Sequence, residues 1–281
     1  MIDLNLNWFE SLLYGLFSGL TDILPVSAQA HTTLMLKFFG IKGNMELVDF
    51  LVHMAIVAAL YINCRSNLVR MNRAQMLARI PKKKRKRPLD VRSLMDLSLL
   101  RTILVPAVLG LLLYRQASAM KSNLILLAVF VFLNGIALYV PQFLPGSNKD
   151  SRTLSRVEGL LMGLGGAVSV VPGISAMGMS TSIGSVCGFE RTYALNLALM
   201  MNLFLNAGFI VYDVIGIMGN GLGTLSVMIV LRYLFTAAVA FGSTTLAIRI
   251  MRRLAEGDGY SIFAFYCFGQ SLFTFILNLM A

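Results

Sequence analysis

The sequence predicts an all-α integral membrane protein with six transmembrane helices and two re-entrant helix–loop–helix hairpins in inverted-topology repeats. Three observations carry this. Only 13% of the 281 residues are charged and 57% are hydrophobic, whereas soluble domains carry about 25% charged residues. Apolar segments recur along the whole chain, several of them near the roughly 20 residues that cross a bilayer. Two polar, proline-bearing stretches break this pattern. One is Gly19-Leu20-Thr21-Asp22-Ile23-Leu24-Pro25-Val26-Ser27-Ala28-Gln29-Ala30-His31, and the other is Val171-Pro172-Gly173-Ile174-Ser175-Ala176-Met177-Gly178-Met179-Ser180-Thr181-Ser182.

Taken in order, segments 9–25 and 27–39 flank the first break. Backbone that leaves its helix at membrane depth survives only where protein buries it or where it lines a wet cavity. The pair is therefore expected to enter the membrane and return on the same side. Segments 46–64, 98–114 and 122–141 are long enough to span. Segments 157–171 and 174–188 flank the second break and form the second hairpin, followed by spans at 192–214, 225–248 and 259–280. Hairpin plus three spans thus occurs twice within a single polytopic domain, 1–281, as repeats of approximately 1–141 and 156–281. Three is odd, so the second repeat must be inverted. A short matching signature precedes each break: Gly15-Leu16 with Gly19-Leu20, and Gly159-Leu160 with Gly163-Leu164.

The charge pattern sets orientation. The net charge is +11, and twelve of the 24 basic residues lie between Arg65 and Arg101. A basic loop beside membrane spans marks the cytoplasmic face and rests well against anionic lipid. The run Pro81-Lys82-Lys83-Lys84-Arg85-Lys86-Arg87 is read in that way, and nucleic acid is not an expected partner. With the loop at approximately 65–97 cytoplasmic, loops 142–156 and 249–258 are also inside, and both carry basic residues. Loop 215–224 carries none, and 115–121 only Arg115 and Lys121, which places both outside with the N-terminus. The first hairpin then dips from outside, the second from the cytoplasm, and their tips meet near the midplane as in inverted-repeat transporters. Cys64, Cys187 and Cys267 have no metal-like spacing and read as small apolar residues.

Candidate chemistry lies in the two breaks. Asp22 is an acid among apolar neighbours, and an ionisable group at depth is costly. Ser18 precedes it by one helical turn, and His31 follows Ser27 by four residues. Together with Gln29 these groups suit a cation, a phosphate or a proton, or a helix break that only positions the hairpin. In the second break, Gly173 and Gly178 let backbone N–H groups approach an anion at a helix start. Ser175, Ser180 and Ser182 add hydroxyls, and close helix packing is the alternative reading. Arg232, inside 225–248, either pairs with an acid or lipid phosphate or extends to the outer surface. His53 is read as a buried packing or hydrogen-bonding histidine, with a catalytic role as the alternative. Asn134, Asn196, Asn202 and Asn206 are read as amides that join helices.

The order Gly-Leu-Thr-acid-x-Leu-Pro-Val-Ser-x-x-x-His, followed about 140 residues later by Pro-Gly-x-Ser-x-x-Gly, resembles the bacterial undecaprenyl-diphosphate phosphatase (bacitracin-resistance) family. Ile103-Leu104-Val105-Pro106-Ala107-Val108-Leu109-Gly110, Arg191 and Phe263-Ala264-Phe265-Tyr266 extend the resemblance along most of the chain. It implies a multi-pass enzyme of the bacterial plasma (inner) membrane that removes one phosphate from undecaprenyl diphosphate. Such an enzyme recycles the lipid carrier of peptidoglycan synthesis, with a divalent cation (Mg²⁺ or Ca²⁺) as cofactor. The implied partners are a polyprenyl (di)phosphate lipid and the membrane, with a homodimer left open. By motif position, His31 would be the acid/base or nucleophile, Asp22 and Ser27 its catalytic companions, and Asp22 with Ser18 the metal site. Ser175, Gly173, Gly178, Ser180 and Ser182 would cradle phosphate, with Arg232 as a substitute cation.

The chain departs from the family pattern where charge matters. An acid pair E-x-x-x-E becomes Ser18 and Asp22, and the Arg-Ser of P-G-x-S-R-S-G becomes Ala176-Met177. The second Ser of the first motif is Ala28, and an acid after the second hairpin is Asn196. One lost electrostatic stabiliser typically costs ~10²–10³ in rate. A non-hydrolytic relative that binds or moves a polyprenyl phosphate between leaflets is therefore the alternative function.

Overall fold

A computed structural model describes residues 6–144, 148–221, 225–257 and 260–280. Eleven helices occur among them: α1 (Trp8–Ile23), α2 (Ala28–Phe38), α3 (Glu46–Ala78), α4 (Val91–Leu111), α5 (Tyr114–Ser118), α6 (Leu124–Tyr139), α7 (Arg156–Val168), α8 (Ala176–Val186), α9 (Arg191–Asn220), α10 (Val227–Ala255) and α11 (Ser261–Met280). The described residues form no β-strand, only an isolated bridge between Lys149 and Phe189. Six helices are long and apolar enough to cross a membrane: α3, α4, α6 with its following 3₁₀ turn, α9, α10 and α11. Helices α1, α2, α7 and α8 have 16, 11, 13 and 11 residues, which at 1.5 Å per residue is too short to cross. They pack in pairs, α1 with α2 and α7 with α8, as two helix–loop–helix hairpins.

One expectation is corrected. The basic stretch 65–97 is not a loop throughout: α3 runs on to Ala78 and α4 begins at Val91. No Pro or Gly interrupts 65–78, and the extension is held by tertiary contacts. Arg70 reaches Asp96 of α4 at 3.1 Å, and the Tyr193 hydroxyl donates to the other oxygen of that carboxylate at 2.9 Å. Pro81 marks the end of the helical path.

The helices pair in a pattern that exchanges the two halves. α1 packs along α10, and its counterpart α7 packs along α4; α3 lies on α9, and α6 on α11. The paired glycine signature explains the close crossings. A Cβ on Gly15 or Gly19 would strike the carbonyls of Thr236 or Ala240 on α10. On α7, a Cβ on Gly163 would strike the carbonyl of Ile103, while one on Gly159 would meet the Leu99 side chain. Small residues let helix backbones approach where lipid offers no hydrophobic drive to association. Ser243 and Thr244 complete the first crossing by donating to the carbonyls of Gly15 and Gly19.

Candidate active site

Each hairpin turns through a proline, and each return helix starts at a serine. Ser27 caps α2, its hydroxyl accepting from Ala30 N, and Ser175 caps α8 in the same way, accepting from Gly178 N. The two caps also tie the tips together. Gly173 N donates to Ser27 Oγ at 3.1 Å, and Ser175 Oγ donates to Leu24 O at 3.4 Å. Asn134 bridges them from α6, its amide N–H donating to Pro25 O and its carbonyl accepting from Ser175 N at 3.0 Å. Gly173 has φ +103°, a conformation that glycine adopts without strain. The tips therefore meet, and the N-termini of α2 and α8 both end there. Helix N-termini carry unpaired N–H groups and partial positive charge, so the junction favours an anion.

Beside the junction lies a cavity of about 90 Å³, room for several waters. Asp22, Ser18, Gln29, Ser175, His53 and Lys121 are among its lining residues, and so are Ala28 and Ala176, two positions where the family motif has larger polar side chains. Asp22 sits in a carboxamide cradle: Asn202 and Asn206 donate to Oδ2 at 2.7 and 3.1 Å. Across the cavity, His53 Nδ1 lies 2.6 Å from Asp213 Oδ2, and the Tyr14 hydroxyl donates to Asp49 at 2.5 Å. Asp49, Tyr114 and Lys121 also line a wider vestibule of about 930 Å³ at the ends of α3 and α9, which gives the cavity a polar approach.

The predicted residues divide. Asp22, Ser18 and Ser175 share the cavity. Ser27 and Gly173 fasten the tips, Gly178 lies against Pro25 and Asn134, and the Ser180 hydroxyl bonds back to Ala176 O. Ser182 is buried on α8 away from the cavity lining. His31 faces the other side of α2. Its Nδ1 donates to Ser27 O at 2.7 Å, and its Nε2 accepts from the Tyr266 hydroxyl at 2.6 Å, with the two rings stacked. It lines an apolar groove of about 650 Å³ with Phe17, Leu34, Phe38, Tyr266 and Phe273. Arg232 lies at the start of α1, donating to Leu6 O at 3.0 Å with its guanidinium over the Trp8 ring.

Sequence reasoning missed Lys121, Asp49 and Asp213, and set a packing or hydrogen-bonding role for His53 ahead of a catalytic one. The signals were an acid and a histidine one turn apart on a spanning segment and a single lysine in a short outer loop. Among the described residues no three His, Cys, Asp or Glu side chains cluster to hold a metal by themselves. The cavity nonetheless offers hard oxygen donors. Gln29 Oε1 is buried without a hydrogen-bond partner and belongs to a residue that lines the cavity with Asp22 and Ser18. Such oxygens fit a divalent cation whose shell is completed by water and phosphate oxygens.

Undecaprenyl-diphosphatase of Thermosipho melanesiensis is 27% identical over 268 residues, covering 95% of this chain and 98% of that protein. Undecaprenyl-diphosphatase of Methanobrevibacter smithii is 26% identical over 273 residues, covering 95% and 96%. Undecaprenyl-diphosphatase 1 of Shouchella clausii is 23% identical over 273 residues, covering 96% of each. The family model described as bacitracin resistance protein BacA matches residues 11–273, a span that holds both hairpin tips and every residue of the cavity, and the chain belongs to that family.

Proposed function

We propose that this protein hydrolyses undecaprenyl diphosphate to undecaprenyl phosphate and inorganic phosphate, recycling a lipid carrier of cell-wall synthesis. The observation that carries this reading is the cavity itself. Part of both family motifs, Ser18, Asp22, Ser175 and Ala176, lines it beside two helix N-termini, and Lys121 adds a cation to a site that lacks the family arginine. The diphosphate would enter through the vestibule, with Lys121 at its throat and the N-terminus of α8 below. A fixed donor set aimed at phosphate oxygens stabilises the charge of a transferring phosphoryl group. The apolar groove beyond α2 suits the prenyl chain.

Asp22, Ser18 and Gln29 would hold the divalent cation, Mg²⁺ or Ca²⁺. When bound, that cation supplies neutralisation of phosphate charge. Asn202 and Asn206 fix the Asp22 carboxylate so that its other oxygen is the one presented to the cavity. The charge pattern supports a vestibule on the outer face of the bacterial plasma membrane, with the basic 65–97 region in the cytoplasm.

Phosphate release from undecaprenyl diphosphate by purified protein in detergent, with Mg²⁺, Ca²⁺ or EDTA, tests the reading. We expect metal-dependent release that falls ~10²-fold or more in Asp22→Asn and Lys121→Gln, as loss of one electrostatic contact does. Binding of the lipid without release would instead favour the non-hydrolytic alternative.

A further inference from the structure

His53 and Asp213 form a pair that none of the roles above requires. His53 sits on α3 and Asp213 on α9, two helices that pack along one another. The 2.6 Å contact joins Nδ1 to Asp213 Oδ2, so Nδ1 carries the proton and the carboxylate fixes ring and tautomer. Nε2 makes no hydrogen bond to a described residue, and the ring lines the cavity opposite Asp22, Ser175 and Lys121. A histidine oriented by a carboxylate with its second nitrogen open to a reaction space is the arrangement of a general base. His31 lacks this freedom, since Ser27 O and the Tyr266 hydroxyl engage both its nitrogens and it faces the apolar groove.

The charged and titratable groups around His53 suit the role. Asp49 is on its own helix, Asp22 and Tyr14 face it from α1, Asp213 from α9, and Tyr114 and Lys121 from the segment after α4. Among the described hydrogen bonds, α4 and α10 bring charge to α3 at its far end, with Asp96 at Arg70 and Arg252 at Asn63.

We propose that His53 is the general base of this site and Asp213 its positioning residue, with His31 serving the hairpin rather than the proton transfer. The inference rests on the phosphatase reading above. Water attacks the terminal phosphorus of the lipid diphosphate, and its proton passes to His53 Nε2 as the new P–O bond forms. The bridging P–O bond breaks, and its electron pair leaves on the oxygen of undecaprenyl phosphate, with inorganic phosphate as second product. The proton on His53 then returns to water through the vestibule.

The test uses the full chain in detergent, with kcat and KM measured on undecaprenyl diphosphate. His53→Ala is expected to lower kcat ~10²–10⁴-fold, the usual contribution of a positioned acid or base. Added imidazole, admitted through the vestibule, should restore part of that loss. Asp213→Asn should lower kcat with KM held within about threefold, and Asp213→Glu should recover much of it, as expected of a group acting in the transition state alone. His31→Gln should lose less than about tenfold, well short of a general-base deletion. Where His53→Ala does not fold, His53→Gln, similar in length and polar at its end, gives the kcat comparison. The inference is overturned if His31→Gln abolishes turnover while the His53 variants keep it, or if imidazole restores nothing to a folded His53→Ala protein. No phosphate release by the wild-type protein would overturn the phosphatase reading, and this inference with it.

Discussion

Asn134 shows how much one side chain can decide. Its amide donates to Pro25 O in one tip and accepts from Ser175 N in the other, and it is fully buried. Replacing it with Ala leaves two buried backbone groups without partners, each costing ~1–3 kcal/mol. We expect Asn134→Ala to lower the Tm of the purified protein clearly, and turnover with it. Asn134→Asp sets a carboxylate against the Pro25 carbonyl at a fully buried site and should destabilise at least as much as Ala. At Asp22 the balance is different. Asp22→Asn replaces the acceptor for two carboxamide donors with a neutral amide, so the expected outcome is lost activity with modest loss of stability.

At the scale of the elements, the glycine crossings make a graded prediction. A methyl on Gly163 meets the Ile103 carbonyl and the Pro106 ring, neither of which can yield, whereas one on Gly159 meets a Leu99 methyl that can rotate away. Overpacking of this kind costs ~1–3 kcal/mol, so Gly163→Ala should lower Tm more than Gly159→Ala in parallel thermal melts. Gly19, which faces the Ala240 carbonyl in the other half, should behave like Gly163. The base of the second hairpin offers a pH test outside the spans. The Arg152 guanidinium beside Asp150 holds its carboxyl below the ordinary carboxylate range. A depressed folded-state value means the contact contributes at and above the ordinary range and is lost as pH falls below it. Amide exchange at Thr153 and Leu154, whose N–H groups bond to Asp150 O, should therefore speed up only on strong acidification. Arg152→Ala should move that onset to higher pH.

For the whole molecule, orientation is the testable consequence. Cysteine introduced at Lys83 should react with an impermeant thiol reagent only from the cytoplasmic side, and cysteine at Ser118 only from outside. Cys64 and Cys267 are buried and should stay silent in the folded protein. Labelling of both introduced sites from the same side would show that α4 does not cross the membrane and would overturn the proposed orientation. Each hairpin packs along a long apolar helix from the other half of the chain, α1 on α10 and α7 on α4. Such packing suits a preorganised catalytic pocket, where donors must be in place before charge develops.

Composition, the two proline-bearing breaks and the distribution of Lys and Arg were enough to determine six spans, two hairpins and the meeting of their tips. Each depends on a short-range rule: lipid excludes charge and unpaired backbone, and basic loops stay inside. The role of the glycine signature was half legible, since the spacing shows in the sequence but the carbonyls it meets lie more than two hundred residues away for α1. Only the tertiary structure decided which polar groups share a space. Ser27 and His31 lie four residues apart near one helix start, yet Ser27 fastens the tips and His31 turns to α11. Asp22 finds its partners at Asn202 and Asn206, and His53 finds Asp213, across 180 and 160 residues of sequence. Helical periodicity fixes the face a residue occupies on its own helix; what that face meets is set by packing between helices.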